Sequence, residues 1–100
     1  MDNYRVVVTS LADADLDDIL DYIAADSPAR AISFVTEWQD RAIKTLSVVP
    51  MGGARRGSVR FFPFGDYVVV YEVHQEQQTV VVHMISHASR QWQELIKDRL

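Results

Sequence analysis

Cysteine is absent from the chain, which excludes a disulfide framework, a thiolate metal centre and a cysteine nucleophile. Glycine occurs only four times, and no glycine-rich phosphate loop or nucleophile elbow is present. A basic excess is also lacking: ten Lys+Arg stand against fourteen Asp+Glu, for a net charge of −4. That balance argues against a general nucleic-acid coat. The longest apolar runs are strand-sized, far short of the ~20 residues a membrane helix needs. No basic segment followed by an apolar one opens the chain, so no secretory signal is apparent. What remains is ordinary for a globular protein, 48% hydrophobic and 24% charged over 100 residues. One cytoplasmic domain spanning 1–100 is the expectation.

The charge is unevenly spread. Residues 1–50 carry a net of −5 and residues 51–100 a net of +1. Acids crowd into Asp13, Asp15, Asp17, Asp18, Asp21 and Asp26, whereas Arg55, Arg56 and Arg60 lie close together. The β-branched run at 5–9 reads as a first strand. Ser10 then stands as the candidate cap of a helix whose stripe is Ala12, Leu16, Ile19, Leu20, Ile23 and Ala24. Ser27 and Pro28 open a second helix with the stripe Ala31, Val35, Trp38, Ala42 and Leu46, widened by Ile32 and Ile43. Pro50, Gly52 and Gly53 stop it. The short connection makes the two helices an antiparallel hairpin.

The second half turns to strands, at 59–63, 67–73 and 79–86, joined by short polar connectors. Val68, Val69 and Val70 are apolar at consecutive positions, as are Val80, Val81 and Val82. Strands of that kind expect cover on both faces, or a partner over one of them. Ser89 is the candidate cap of a short last helix bearing Trp92, Leu95, Ile96 and Leu100. The fold expected is α+β, in the order β-α-α-β-β-β: a helical hairpin on a mostly antiparallel sheet, with a short C-terminal helix.

Several pieces in this order resemble the ParE branch of the RelE/ParE toxin superfamily of type II toxin–antitoxin systems. They are the strand RVVVT at 5–9, A-D-L-D-D-I-L-D-Y-I at 14–23, S-P-A-R-A at 27–31 and L-x-x-x-P-x-G at 46–52. R-F-F-P-F-G-D-Y-V-V-V-Y at 60–71 and H-A-S-R at 87–90 complete the set. The chain departs from the family where an acid usually follows the terminal arginine, since Gln91 and Trp92 stand there. The resemblance implies a toxin that inhibits DNA gyrase by protein–protein contact and needs no cofactor. It also implies neutralisation by a ParD-like antitoxin with a ribbon-helix-helix DNA-binding domain. No membrane contact and no direct nucleic-acid binding are expected of the toxin alone. The other reading is a ribosome-dependent mRNA interferase of the RelE branch, an endoribonuclease.

The residues assigned to binding antitoxin or target are Arg55, Arg56, Arg60, Phe61, Phe64, Arg90 and Trp92. Arg60 and Arg90 have two readings: bidentate pairing with a partner's carboxylates, or an internal brace to an N-terminal Asp. No catalytic residue is assigned on the gyrase reading. On the interferase reading His87, Arg60 and Arg90 do the chemistry, because imidazole titrates near neutrality and arginines stabilise a crowded phosphate. His74, His83 and His87 show no metal-ligand spacing. Tyr67 and Tyr71, four apart on a strand, share a face and read as core residues whose hydroxyls find partners. The aromatic cluster of Phe61, Phe62, Phe64 and Trp92 reads as covered partly by the C-terminal helix and partly by a partner helix.

Overall fold

The computed structural model describes residues 3–100. Its elements are β1 (Arg5–Val8), α1 (Ser10–Asp26), α2 (Pro28–Glu37), a π-helical stretch (Trp38–Ile43) and α3 (Lys44–Val48). A 3₁₀ turn (Pro50–Gly52) leads to β2 (Ala54–Arg56), β3 (Val59–Phe64), β4 (Tyr67–His74) and β5 (Thr79–His87). The chain closes with α4 (Trp92–Leu95) and a second 3₁₀ turn (Ile96–Arg99). The five strands form one sheet in the order β1-β5-β4-β3-β2. β1 runs parallel to β5, and every other pairing is antiparallel.

The consecutive valines receive the two-sided cover they demand. On one face Val69, Tyr71, Val80, Val82 and Ile85 pack against Ala12, Trp38, Ala42 and Leu46 from the helices. On the other Val59, Val68, Val70 and Met84 pack under Trp92 and Ile96. Side chains alternate between faces along a strand, so β4 divides its valines between the two layers. A β-bulge adjusts β5. Val70 pairs with Met84 but Tyr71 pairs with Val82, leaving His83 without a partner opposite. The extra residue shifts the alternation by one, which puts Ile85 on the helix-covered face with Val80 and Val82. His83 turns its ring to Glu72, Nε2 to Oε1 2.6 Å.

Several local expectations need correction. Thr9 caps α1, not Ser10: its Oγ1 accepts from the Ala12 amide at 3.1 Å. The strand feeds the helix with no loop, so the last extended residue is already the cap. Ser27 caps α2 with Pro28 in its first turn, as expected. Ser89 does not cap α4, which starts after Gln91 without a side-chain cap. Ile32 is 70% exposed and Phe34 packs inward in its place. The π-helical stretch brings more than the usual 3.6 residues into each turn. Trp38, Ala42 and Leu46 therefore stay aligned at intervals of four, all buried. β2 was not anticipated, because its three residues are all exposed and carry no apolar alternation. It pairs with β3 through the turn at Gly57 and Ser58, where Gly57 adopts φ +61, a conformation glycine tolerates.

Two polar contacts fasten the layers. β1 stops opposite Val82, and side chains serve β5 beyond that point. Asp15 Oδ2 on α1 accepts from the Ile85 amide at 3.1 Å. Arg99 grips the same carboxylate with both terminal nitrogens, at 2.5 and 2.9 Å, and donates to the His83 carbonyl at 2.8 Å. Its hydrogen bond to Asp15 holds the guanidinium pKa above its usual value, against the pull of burial. The second contact is Tyr71, whose Oη donates to the Pro50 carbonyl at 2.9 Å and accepts from the Gly53 amide at 3.0 Å. Burial raises its pKa, so the phenol stays protonated as a donor. Gly53 does more than stop a helix: a Cβ there would collide with the Tyr71 hydroxyl.

Both members of the Asp15–Arg99 pair keep only about a fifth of their side-chain surface. Asp15→Ala leaves a guanidinium and an amide without their acceptor, an expected loss of ~2–3 kcal/mol in urea denaturation. Asp17→Ala, on the exposed face of the same helix, should change stability by less than about 0.5 kcal/mol.

Candidate functional site

The fold sends the expected functional residues to opposite ends of the sheet. Arg60 lies across from Tyr71, which lies across from Val82. Phe64 lies across from Tyr67, which lies across from His87. Arg60 and His87 are thus separated by about 13 Å along the strands and roughly 10 Å across them. Core side chains fill the interval between them.

At one end, Arg60 Nη1 donates to the carbonyls of Met51 (3.1 Å) and Gly53 (3.0 Å). It is an internal brace, but its partners are two backbone oxygens of the segment before β2 and not an N-terminal Asp. The carboxylate brace exists elsewhere, made by Arg99. Nothing near Arg99 in the sequence marks it, since Asp15 is 84 residues away. Arg55 stands directly opposite Arg60 on β2, and its Nε donates to the Gly57 carbonyl at 3.2 Å. Arg56 is exposed beside it. A recess of about 470 Å³ opens here between the β2–β3 hairpin and the β4–β5 turn, lined by Arg55, Arg60, His74 and Glu76 among others.

At the other end, a groove of about 1090 Å³ runs between the helical hairpin and the ends of β4 and β5. Its walls carry Asp18, Asp26, Arg30, Phe34, Tyr67, His87 and Arg90. Tyr22 projects at its rim, 78% exposed. Tyr67 stacks edge-on against Phe34 and His87. Its pKa is raised first by burial and then by Asp66 and Tyr22, with Arg30 acting in the opposite direction. His87 Nδ1 accepts from the Ser89 amide at 3.1 Å, and the Ser89 hydroxyl lies 2.6 Å away. That network assigns the ring proton to Nε2. Arg90 is exposed, and its amide donates to the His87 carbonyl to close the turn after β5.

The aromatic residues are largely occupied within the chain. Phe64 is buried against Phe34 and Trp38. Trp92 is buried over Phe61, with ring centroids 4.8 Å apart. Phe61 and Phe62 keep part of their surface open. Phe64 and Trp92 meet a partner only if the layers covering them move. Among the described residues no group of three or more His, Asp or Glu is placed to hold a metal, and no helix is long and apolar enough to cross a membrane.

Two helices on one face of a five-stranded sheet, a short helix closing the other, and a parallel β1–β5 pair define a RelE/ParE-type toxin fold. Solved structures carry the same arrangement. In the toxin–antitoxin complex RelBE2 from Mycobacterium tuberculosis, one chain is 26% identical, with a TM-score of 0.60 over 90% of this chain and 97% of that one. A chain of the chromosomal ParDE system from P. aeruginosa is 24% identical, with a TM-score of 0.69 over 84% and 95%. A comparison with curated protein sequences returned no match. The family model describing the ParE toxin of type II toxin–antitoxin systems, parDE, matches residues 6–92. The chain belongs to that family.

The two arginines at the motif positions differ in what they hold. Arg60→Ala removes both bonds to the Met51 and Gly53 carbonyls and should cost about 1–2 kcal/mol in chemical denaturation. Arg90→Ala should stay within about 0.5 kcal/mol of the parent.

Proposed function

We propose that this toxin arrests growth by binding DNA gyrase, and that a ParD-like antitoxin with a ribbon-helix-helix DNA-binding domain neutralises it. The match to the ParE family over residues 6–92 carries this reading. The placement of the polar residues supports it. Catalysis of RNA cleavage needs an acid or base and several cations around one phosphate. Here His87 and Arg60 are at opposite ends of the sheet, and Arg60 is engaged with backbone carbonyls. A net charge of −4 gives no general attraction to a polyanion.

An antitoxin partner accords with the similar solved structures, which are a RelBE2 complex and a ParDE system. Of the residues assigned to such contacts, Arg55, Arg56 and Arg90 are the ones the fold leaves exposed. Arg60 and Phe61 add partly open surface. Phe64 and Trp92 contribute from beneath, by shaping the surface above them.

Purified toxin should inhibit gyrase-catalysed supercoiling at near-stoichiometric ratios and leave message intact in a ribosome-programmed cleavage assay. Unimpaired supercoiling together with cut message would overturn the reading in favour of the interferase.

A further inference from the structure

We infer that the free edge of β1 pairs with the same edge of a second copy of this chain, joining two sheets into one across a twofold axis. The inference goes beyond the toxin's target and antitoxin, and it holds whatever those are.

Backbone direction along β1 is the first ground. The Arg5 amide donates to the Gln78 carbonyl at 2.9 Å, and the Thr9 amide donates to the Val82 carbonyl at 3.1 Å. Successive residues of a strand turn their backbone groups to opposite sides. Tyr4, Val6 and Val8 therefore point away from β5. Tyr4 has its partner in Ser47, whose carbonyl accepts from its amide at 2.9 Å and whose hydroxyl donates to its carbonyl at 2.9 Å. Val6 and Val8 have none. Among the described residues no hydrogen bond outside the β5 ladder reaches their amides or carbonyls. A row of open donors and acceptors on an edge strand is a template for another strand.

The two margins of the sheet are guarded differently. β2 presents Arg55 and Arg56, charges that resist pairing of like with like. β1 reads Arg5-Val6-Val7-Val8, with no proline, lysine or bulge to blunt it.

The β1 edge is also complementary to itself, which selects a second copy as its occupant. Set antiparallel about Val7, Val6 of each copy lies opposite Val8 of the other, and each such pair exchanges two N–H···O bonds. Every open group then has a partner. Arg5 falls opposite Thr9 of the second copy, and the two Arg5 residues stay about 14 Å apart. The same register sets Leu11, just past one end of the open span, beside the position next to Tyr4 of the second copy. Ser47 caps that position and Val48 follows it. Leu11 is 56% exposed and Val48 55%, so each covers the other, once on either side of the axis. Val7, 38% exposed, meets its own counterpart on the axis. A strand from an unrelated protein needs none of this symmetry. β2 remains at both outer margins of the joined sheet.

Sedimentation equilibrium and amide exchange on the purified toxin test this. The mass should rise from the 11.4 kDa of one copy towards twice that value between about 1 μM and about 1 mM. Over the same range exchange should slow at the Val6 and Val8 amides, while Arg5 and Thr9, already bonded to β5, stay unchanged. Val7 belongs to neither core cluster, so Val7→Lys should fold. It sets two ammonium groups opposite each other on the axis and should weaken the dimer about tenfold or more. Leu11→Lys and Val48→Glu should each weaken it, and the two together should restore it, because each new cation meets the new anion of the other copy. A mass that stays at one copy throughout, or a dimer whose Val6 and Val8 amides exchange as fast as in the monomer, would overturn the inference. So would undiminished association of Val7→Lys, or no rescue by the double variant. Slowing at Val6 and Val8 that appears only when an antitoxin is added would give the edge to that partner and overturn it as well.

Discussion

β4 and β5 bury aliphatic side chains on both faces of the same sheet, and the remaining architecture answers that demand. Val69, Val70, Val80 and Val82 are essentially without solvent contact. Fully burying a valine is worth about 1.5–3 kcal/mol, so leaving either face open would forfeit a large share of a small protein's stability. The helical hairpin answers on one face. The chain from Trp92 onward answers on the other. Asp15 and Arg99 then tie the two layers together, because a carboxylate from the first and a guanidinium from the second meet at the backbone of β5.

With both faces occupied, the open recesses lie at the rims. One rim holds Arg55, Arg56 and Arg60 around a polar recess. The other holds Tyr67, His87 and Arg90 in a wider groove. The strand register keeps them apart, since Arg60 and His87 occupy opposite ends of adjoining ladders. Two separate rims suit a protein that is gripped or grips at several places. They do not converge on one reacting atom. The acids of α1 reinforce the division: most face solvent, while Asp15 alone among them is drawn into the layer contact.

The sequence disclosed the layers well because they rest on local periodicity. The valine runs announced two-sided burial, and Ser27-Pro28 announced the break between helices. Phase was harder to read. The π-helical turn at Trp38–Ile43 changes the repeat from within, so Ile32 looked internal and Phe34 did not. The bulge at His83 changes the alternation of β5, and no residue type signals it. The Arg99 clasp was invisible for a different reason: it joins positions 84 apart, and a brace to an acid had been expected of Arg60 or Arg90. Candidates for partner contact were legible only as residue types in a motif. Burial then separated exposed Arg55, Arg56 and Arg90 from Phe64 and Trp92.

Toxicity through surface contact, without acid–base chemistry in the chain, is the central claim. His87 ends β5 at the wall of the wider groove, and its ring is hydrogen-bonded to Ser89 and set edge-on against Tyr67. Growth of cells expressing His87→Ala from an inducible promoter measures the claim directly. The account predicts arrest as complete as that caused by the parent chain. Loss of arrest at an unchanged yield of folded protein would contradict it.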